Sequence, residues 1–177
     1  MLKCKEELNI SNCHFTDGSL LPGGEAGCGV SVEGSNLDIS IRLGNNASST
    51  QSEIFAILVA LKNIYSSRQN GIIVSDSQSA LLSINSKNIK CKINQNLINR
   101  VHTFLHKIKM IGNKIILVWV PSHIGIAGNE RADTLAKEGA LKSEIDYDFG
   151  LSNEQYKQVI SNFSVIMRRN TTETWNT

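Results

Sequence analysis

Four acidic residues stand out because each lies on a different predicted element, near a point where that element could face the first strand. They are Asp17, Glu53, Asp76 and Asp133. Carboxylates are the donors that hard cations such as Mg²⁺ prefer, together with water and phosphate oxygens. Two such ions about 3.5–4 Å apart can activate a water molecule and stabilise the leaving oxygen of an in-line phosphoryl displacement. If the four side chains cluster, they suit the hydrolysis of a phosphodiester.

Each carboxylate also has an ordinary structural explanation. Asp17 opens an Asp-Gly pair, which is a common turn dipeptide. Thr50 and Glu53 have capping-box spacing at the start of a predicted helix. Asp76 could cap the helix that follows it, although neighbouring serines supply capping hydroxyls as well. Asp133 could be a solvated charge near the first turn of its helix. No carboxylate is decisive alone, so the interpretation depends on their joint arrangement.

The elements that must position these residues begin with three short strands, predicted over Asn12–Ser19, Gly27–Glu33 and Asn36–Leu43. Each segment mixes β-branched and apolar residues with polar ones, and glycines punctuate them, so antiparallel strands with tight turns are expected. In the third segment Leu37, Ile39, Ile41 and Leu43 alternate with Asp38, Ser40 and Arg42. This alternation is typical of a half-buried strand.

From Ser49 onward the apolar residues recur at helical spacing, and Gly71 closes the segment. Glu53 falls on the apolar stripe of this helix, where a carboxylate needs a partner such as a metal ion because an unpaired buried charge is very costly. The next segment, Gly71–Asp76, is an apolar run expected of a strand covered on both faces.

The remaining elements complete an α/β pattern. They are a short helix over Ser77–Ile84, a longer helix marked by apolar residues from Ile93 to Ile108, a buried strand over Lys114–Val120 and a helix over Asn129–Leu141. The order predicts a five-stranded mixed sheet, with three antiparallel strands followed by parallel strands, flanked by helices. Ser152–Gln155 then has capping-box spacing, which predicts one more helix near the end of the chain.

Composition sets broad limits. The 177 residues are 41% hydrophobic and carry a net charge of +2, which fits one domain with a short appendage and permits nucleic-acid binding without demanding it. Apolar stretches such as Lys114–Val120 are far shorter than the ~20 residues of a membrane span. The N-terminal residues lack the apolar run of a signal peptide, so an intracellular location, nuclear or cytoplasmic, is expected. The scattered cysteines, Cys4, Cys13, Cys28 and Cys91, predict ordinary thiols rather than a zinc site or disulfides.

Local strings around the four carboxylates resemble one family. In chain order they are Phe15-Thr16-Asp17-Gly18-Ser19, Gln51-Ser52-Glu53, Val74-Ser75-Asp76-Ser77-Gln78-Ser79-Ala80 and Pro121-Ser122-His123-Ile124-Gly125-Ile126-Ala127-Gly128-Asn129-Glu130-Arg131-Ala132-Asp133. Together they resemble the type 1 ribonuclease H family, and in particular the domain carried by insect non-LTR retrotransposon polyproteins. The resemblance covers about Asn12 to Leu141, and the last string is its most specific part.

The resemblance implies a ribonuclease H-like fold and an endoribonuclease that hydrolyses the RNA strand of RNA–DNA hybrids. It implies that Asp17, Glu53, Asp76 and Asp133 bind two Mg²⁺ ions, with Mn²⁺ as a substitute. It also implies that His123 is a catalytic loop histidine that assists product release or proton movement. From the residues alone, a histidine in this glycine-rich loop can exchange a proton near neutral pH, or it can simply be a hydrogen-bonded loop residue.

Substrate contacts also follow from the resemblance. The segment before Glu53 is expected to approach the minor groove, where 2′-hydroxyls distinguish RNA from DNA, although helix capping explains this segment equally well. The full set of candidate substrate-binding residues is Gly18, Ser19, Ser48, Ser49, Thr50, Gln51, Ser77, Gln78, Asn129 and Glu130. His14, His102 and His106 match nothing in the family pattern and are expected to be structural or exposed.

We expect three regions: an N-terminal extension over 1–11, the ribonuclease H domain over 12–142, and a linker with a helical appendage over 143–177. The resemblance implies the RNA–DNA hybrid as a partner and suggests a reverse transcriptase domain of the same polyprotein as another. The short apolar stretches predict no contact with a membrane. We take the chain to be a monomer.

The sequence differs from cellular members of the ribonuclease H family in two places, and both differences predict weaker substrate binding. Leu20–Gly24 is shorter and lacks an asparagine that often contacts the substrate, and the eight residues between Ile84 and Ile93 leave no room for a long basic helix. Other basic residues could partly replace that surface: Lys87, Lys90, Lys92, Arg100, Lys107 and Lys109. Fewer phosphate contacts predict weaker binding that is less sensitive to salt, and modest activity of the isolated domain.

Three other functions compete with this interpretation. A non-catalytic hybrid-binding module gains nothing from clustered negative charge that faces phosphates, so the four carboxylates argue against it. A transposase or integrase shares the acidic cluster, but the His123 loop and the Asn129–Asp133 helix fit that class poorly. A nucleotide site at Gly23–Gly29 lacks the Lys-Ser/Thr that holds phosphate and metal.

Overall fold

The computed structural model describes residues 12–35, 37–86 and 95–150. Within these ranges the strands are β1 (Cys13–Leu20), β2 (Ala26–Val32), β3 (Asp38–Leu43), β4 (Gly71–Ser75) and β5 (Ile115–Trp119). The helices are α1 (Ser49–Ser67), α2 (Gln78–Asn85), α3 (Gln95–Met110) and α4 (Ala127–Ala140). Every element predicted within these ranges is present, with boundaries shifted by a few residues at most. The helix predicted after Ser152 lies outside the described residues.

The five strands form one mixed sheet in the order β3-β2-β1-β4-β5. β1 pairs with β2 and β2 with β3 in antiparallel register. β4 lies parallel to β1 on its other side, and β5 lies parallel to β4. This arrangement confirms the predicted fold class. Because β1 is central, it lies beside both the antiparallel and the parallel half, and Asp17 lies on this strand.

Helices cover both faces of the sheet. On one face the apolar stripe of α1 packs with α3 and the sheet in a large core that includes the fully buried Ile57, Leu61 and Ile73. On the other face α4 covers a smaller core around Phe15 and Val74. None of the helices in the described ranges is long and apolar enough to cross a membrane.

Glycines in β2 allow α4 to lie directly on the sheet. A Cβ added to Gly29 would stand 2.2 Å from the carbonyl oxygen of Ala132, and one added to Gly27 would stand 2.3 Å from that of Ala136. Both distances are far below van der Waals contact, so any larger residue would lift the helix. The close contact fixes the height of Asp133 above the sheet.

The chain after α4 packs against the outer edge of the sheet. The backbone N–H of Asp146 donates to the carbonyl oxygen of Arg42 (2.9 Å), and Tyr147 forms a parallel bridge with Leu43. Tyr147 stacks on Phe55 of α1 with ring centroids 4.5 Å apart. The domain boundary after residue 142 stays a prediction, but the described part of the predicted linker, up to Gly150, contacts the sheet and α1.

The structure departs from the predicted alternation at two positions, Leu37, which precedes β3 and is exposed, and Arg42. Ile39 and Ile41 pack against the large core as expected, but Arg42 is buried as well. Its guanidinium donates to the carbonyl oxygens of Ala26 (3.0 Å) and Leu43 (2.9 Å) and to the side chain of Asn45. The segment around Asp146 covers the C-terminal end of β3. The alternation pattern of β3 alone does not reveal this contact.

Candidate active site

Four elements bring the acidic residues to one end of the sheet. Asp17 lies on β1, Glu53 in the first turns of α1, Asp76 directly after β4, and Asp133 on α4. One carboxylate oxygen from each of Asp17, Glu53 and Asp76 lies within 4.8 Å of the other two. Asp133 lies close enough to Asp17 to help raise the pKa of that carboxyl group. The structure therefore brings together the four carboxylates that the sequence singled out, and we call them the acidic cluster.

A glycine makes the contact between β1 and α1 close enough for this cluster. A Cβ added to Gly18 would stand 2.4 Å from the backbone nitrogen of Glu53 and 2.6 Å from the carbonyl carbon of Ser52. Both atoms belong to backbone, which cannot swing away as a side chain could. Gly18 thus lets the strand that carries Asp17 touch the helix that carries Glu53.

Burial and mutual repulsion hold protons on the cluster when no cation is bound. Burial, then the charges of Asp76 and Asp133, raise the pKa of Asp17 to about 7. Burial, then the charge of Asp17, raises the pKa of Glu53 to about 9. Carboxylates a few ångströms apart in a region of low dielectric cannot all ionise without a compensating positive charge.

One atom of the cluster is orphaned. Glu53 Oε2 is buried and has no hydrogen-bond partner among the described residues. A buried polar group without a partner is costly, and in native proteins it commonly marks a place for an ion or water. Three convergent carboxylates with a spare oxygen fit a hard divalent cation, which binds oxygen ligands.

The structure corrects the predicted capping of α1. The capping box is formed by Ser48 and Gln51: the Gln51 N–H donates to Ser48 Oγ (3.2 Å), and the Ser48 N–H donates to Gln51 Oε1 (2.8 Å). The spacing of Thr50 and Glu53 suggested a box two residues further on. Because the helix begins earlier, Glu53 has no capping role and its carboxylate faces the cluster.

Asp76 is likewise free of a capping role, because Ser77 caps α2 by accepting from the Ala80 N–H (3.3 Å). Two other groups hold Asp76 in place. The Asn129 side-chain amide donates to Asp76 Oδ2 (3.2 Å), and the Trp119 indole N–H donates to the Asp76 carbonyl oxygen (3.0 Å). Trp119 was not among the predicted site residues, since a tryptophan at the end of an apolar strand resembles any other core position.

Asp133 differs from the other three carboxylates because it has a basic partner. Lys137, one turn further along α4, donates to Asp133 Oδ2 at 2.6 Å. The side chain of Asp133 is 22% exposed, so it forms the open side of the cluster. The lysine offsets part of the negative charge there.

His123 lies in the loop between β5 and α4 in a left-handed backbone conformation with φ of +56°. Its side chain is 73% exposed, and Nδ1 lies 3.7 Å from Glu130 Oε2. The loop thus presents the imidazole to solvent rather than to the core. This position suits a group that meets substrate.

The predicted substrate contacts range from exposed to buried. Ser49 and Gln78 are exposed, whereas Thr50 and Ser19 are half-buried. Gln51 and Asn129 are buried, and the side chains of both already have partners within the protein. Whether any of these residues contacts a substrate stays a prediction.

The other histidines are structural or exposed, as predicted. His14 is buried in β1, where its Nε2 lies 2.9 Å from the side-chain oxygen of Asn63, while His102 and His106 are exposed. Cys13 and Cys28 are buried. Cys4 and Cys91 lie outside the described residues.

Of the basic residues proposed to replace a longer basic helix, Lys87, Lys90 and Lys92 lie outside the described residues. Arg100 donates to the Tyr147 hydroxyl and stands over its ring, with Cζ 5.4 Å from the centroid. Lys107 lies over the ring of Phe104, 5.0 Å from its centroid. These two cations are therefore partly engaged within the protein.

A comparison with protein families agrees with this geometry. A mixed sheet of this order, with clustered carboxylates on β1, α1, β4 and α4, defines a ribonuclease H-like protein. The family model described as RNase H matches residues 10–141, which include all four carboxylates and His123. The chain therefore belongs to the type 1 RNase H family, and it is a ribonuclease H, an enzyme class that uses divalent metal.

Proposed function

We propose that the chain hydrolyses the RNA strand of RNA–DNA hybrids as an endoribonuclease, with two Mg²⁺ ions held by Asp17, Glu53, Asp76 and Asp133. The observation that carries the proposal is the convergence of three carboxylates within 4.8 Å around an orphaned Glu53 oxygen. A protein gains nothing in stability from such a group unless a cation binds there. Mn²⁺, which also takes oxygen ligands, is expected to substitute.

When bound, the cations supply an activated water and stabilise the leaving oxygen of the displaced RNA strand. The chain supplies the frame for that chemistry. Asn129 and Trp119 hold Asp76 from two sides, and Gly18 sets the distance between Asp17 and Glu53. Lys137 keeps the Asp133 carboxylate oriented on the open side of the cluster.

His123 is proposed to hold or pass a proton at its exposed imidazole as the product leaves. Its exposure supports this role, and its Nδ1 lies 3.7 Å from Glu130 Oε2. The residue is not part of the metal-binding set. Its loss is therefore expected to lower the rate without removing metal binding.

The hybrid is proposed to approach the end of the sheet where the acidic cluster is open. Contacts would come from Gly18 and Ser19 on β1, from the exposed residues around the start of α1 and α2, and from the start of α4. The complete proposed set is Gly18, Ser19, Ser48, Ser49, Thr50, Gln51, Ser77, Gln78, Asn129 and Glu130. Recognition of 2′-hydroxyls in the minor groove would select the RNA strand.

A role in reverse transcription of a retroelement, beside a reverse transcriptase domain, is also proposed. Its support is the similarity of the sequence strings to those of non-LTR retrotransposon polyproteins. It is independent of the chemistry of the site, so either proposal can fail without the other.

Cleavage of a labelled RNA–DNA hybrid in Mg²⁺ tests the proposed function. Wild-type protein is expected to cut the RNA strand internally and to leave single-stranded RNA and double-stranded DNA uncut. Asp76→Asn, which keeps the size of the side chain, is expected to abolish cutting. Asp148→Asn removes an exposed carboxylate outside the cluster and is the matched control, expected to cut normally. Hybrid binding without cutting in Mg²⁺ or Mn²⁺ would instead establish a non-catalytic binding module.

A further inference from the structure

Trp119 is a large apolar side chain that the fold leaves exposed beside the acidic cluster. It ends β5 and pairs in the sheet with Ser75, the residue before Asp76. Its indole is 48% exposed. Among the described residues, the only hydrogen bond of the ring is the one that its N–H donates to the Asp76 carbonyl oxygen at 3.0 Å. The N–H edge of the ring is therefore fixed to the backbone of a residue of the cluster, while about half of the residue stays exposed.

A groove of about 500 Å³ continues from this ring between α2, α3 and β5. Gln78, two residues after Asp76, lines its end near the cluster. Leu82 and Leu117 form apolar walls, and Leu82 is 60% exposed. No carboxylate is among the described residues that line the groove, so the groove does not repel a phosphate backbone as the acidic cluster does without cations.

We propose that the outward face of the Trp119 indole packs against the sugar of the RNA nucleotide next to the bond that is cut, at the Gln78 end of this groove. The inference rests on the proposed function of the acidic cluster. A strand whose phosphate reaches the cluster must carry its adjacent nucleotide past Asp76, and the ring that borders Asp76 on the β5 side is Trp119.

The chemistry of the two surfaces matches. The minor groove of an A-form helix is wide and shallow and presents the 2′-hydroxyls of the sugars and the edges, rather than the faces, of the bases. An indole combines a broad apolar face with little conformational freedom, so it suits a C–H-rich sugar surface. Contact there would also exclude water next to the cluster, and it would align the RNA strand without reading its sequence.

Steady-state cleavage of Trp119→Ala and Trp119→Phe separates this contact from a purely structural role. If the indole face binds RNA, Trp119→Ala raises KM for the hybrid by about 5-fold, the lower end of the range of about 5- to 150-fold for losing an aromatic stack on one base, because the contact here is with a sugar. Trp119→Phe keeps an aromatic face and is expected to restore most of the affinity. Because Phe lacks the N–H, it loses the bond to Asp76 in the same way as Ala.

If Trp119 serves only to hold Asp76, both variants lower kcat alike and leave KM unchanged, and the proposal is wrong. Met110→Ala removes another strongly exposed apolar side chain, at the end of α3 and not among the residues lining the groove, and is the matched control. Melting temperatures of all three variants identify any that fail to fold. Trp119→Phe, the milder change, keeps the comparison possible if the alanine variant unfolds.

Tryptophan fluorescence gives a readout that does not depend on cleavage. The chain has two tryptophans, so Trp175→Phe leaves Trp119 as the sole emitter. Combined with Asp133→Asn to prevent cutting, saturation with an RNA–DNA hybrid is expected to shift the emission to shorter wavelength, because the exposed indole loses water. Unchanged emission, with binding shown by anisotropy of a labelled hybrid, would overturn the proposal.

The outcomes distinguish this inference from the proposed function. A wild-type enzyme that cuts hybrid, with Trp119→Ala behaving like Met110→Ala, would refute the Trp119 contact and leave the function intact. A wild-type enzyme that binds hybrid but never cuts it would refute the proposed function, and the Trp119 inference with it.

Discussion

At the outer edge of the sheet, along β3, charged side chains have hydrogen-bond partners. The acidic cluster instead brings like charges together. We define the β3 edge as Arg42, Lys142, Asp146 and Tyr147. There, Asp146 accepts from the Arg42 backbone N–H (2.7 Å) and from Lys142 (3.1 Å), and these two bonds lower its pKa. In the cluster, burial and neighbouring carboxylates raise the pKa of Asp17 and Glu53.

The difference separates residues that stabilise the fold from residues that await a ligand. The β3 edge is complete without any further component, apart from the buried Arg42 Nε, which has no hydrogen-bond partner among the described residues. The cluster is incomplete, because three carboxylates converge and, among the described residues, the one basic partner of the four is Lys137, which donates to Asp133. Substitutions in the two regions should therefore have opposite effects on stability and activity.

The largest expected effect is the loss of cleavage in Asp17→Asn. Losing an indirect partner of a metal ligand already costs about 10- to 100-fold, so replacing a proposed ligand should lower hybrid cleavage by at least about 1,000-fold. Without metal, the melting temperature should stay the same or rise, because one repelling charge is gone. Initial cleavage rates and thermal melting of the same preparation test both parts. A loss of activity together with a clear loss of metal-free stability would contradict the contrast between the acidic cluster and the β3 edge.

Arg42→Ala should show the reverse pattern. It removes three hydrogen bonds of a buried guanidinium and leaves the Ala26 and Leu43 carbonyl oxygens without that donor. We expect a loss of about 2–4 kcal/mol in the free energy of unfolding. The cleavage rate per folded molecule, measured well below the melting transition, should change little. Urea unfolding followed by circular dichroism provides the free energy, and a change under 1 kcal/mol would contradict this reading of the edge.

Tyr147→Phe is expected to have the smallest effect. It removes the hydroxyl that accepts from Arg100 but keeps the ring that packs on Phe55. For a hydrogen bond at a half-exposed site, the expected loss is about 0.5–1.5 kcal/mol. Tyr65→Phe is the control, since that ring packs on Phe104 and the described residues show no hydrogen bond to its hydroxyl. Equal losses in the two variants would mean that the Arg100 bond adds nothing.

The sequence predicted the fold and the four acidic positions because local patterns determine them. The helical spacing after Ser49 and the apolar run from Gly71 gave elements whose order admits few sheets. The contacts that build the site were harder to predict from the sequence. A strand pattern does not show that Gly18 touches the backbone of Glu53, or that Trp119 bonds to Asp76, because both contacts join residues far apart in the chain.

Capping and edge contacts were missed for related reasons. Two capping-box spacings overlap at the start of α1, and spacing alone cannot choose between Ser48–Gln51 and Thr50–Glu53. The burial of Arg42 depends on Asp146 and Tyr147, which follow it by about a hundred residues and fit no strand pattern of their own. Tertiary packing, rather than local propensity, decides such positions.

The raised pKa values in the acidic cluster predict that the stability of the protein and the effect of a bound cation both depend on pH. Both carboxyl groups have raised pKa values in the folded protein, about 7 for Asp17 and about 9 for Glu53, against ordinary values of 3.8 and 4.5. Their contribution to stability is thus fully present below pH ~4 and is lost as the pH rises toward 9. A bound cation offsets that loss, so its stabilising effect should grow with pH.

The most direct measurement is the rise in melting temperature on adding Mg²⁺ at pH 5 and at pH 8, for wild type, Glu53→Gln and Glu138→Gln. Glu138 is an exposed carboxylate near Arg131, outside the cluster, and serves as the control. We predict a larger rise at pH 8 than at pH 5 in wild type and in Glu138→Gln, and a much smaller rise in Glu53→Gln. No rise in wild type at either pH, or an equal rise in Glu53→Gln, would contradict the assignment of the acidic cluster as a cation site.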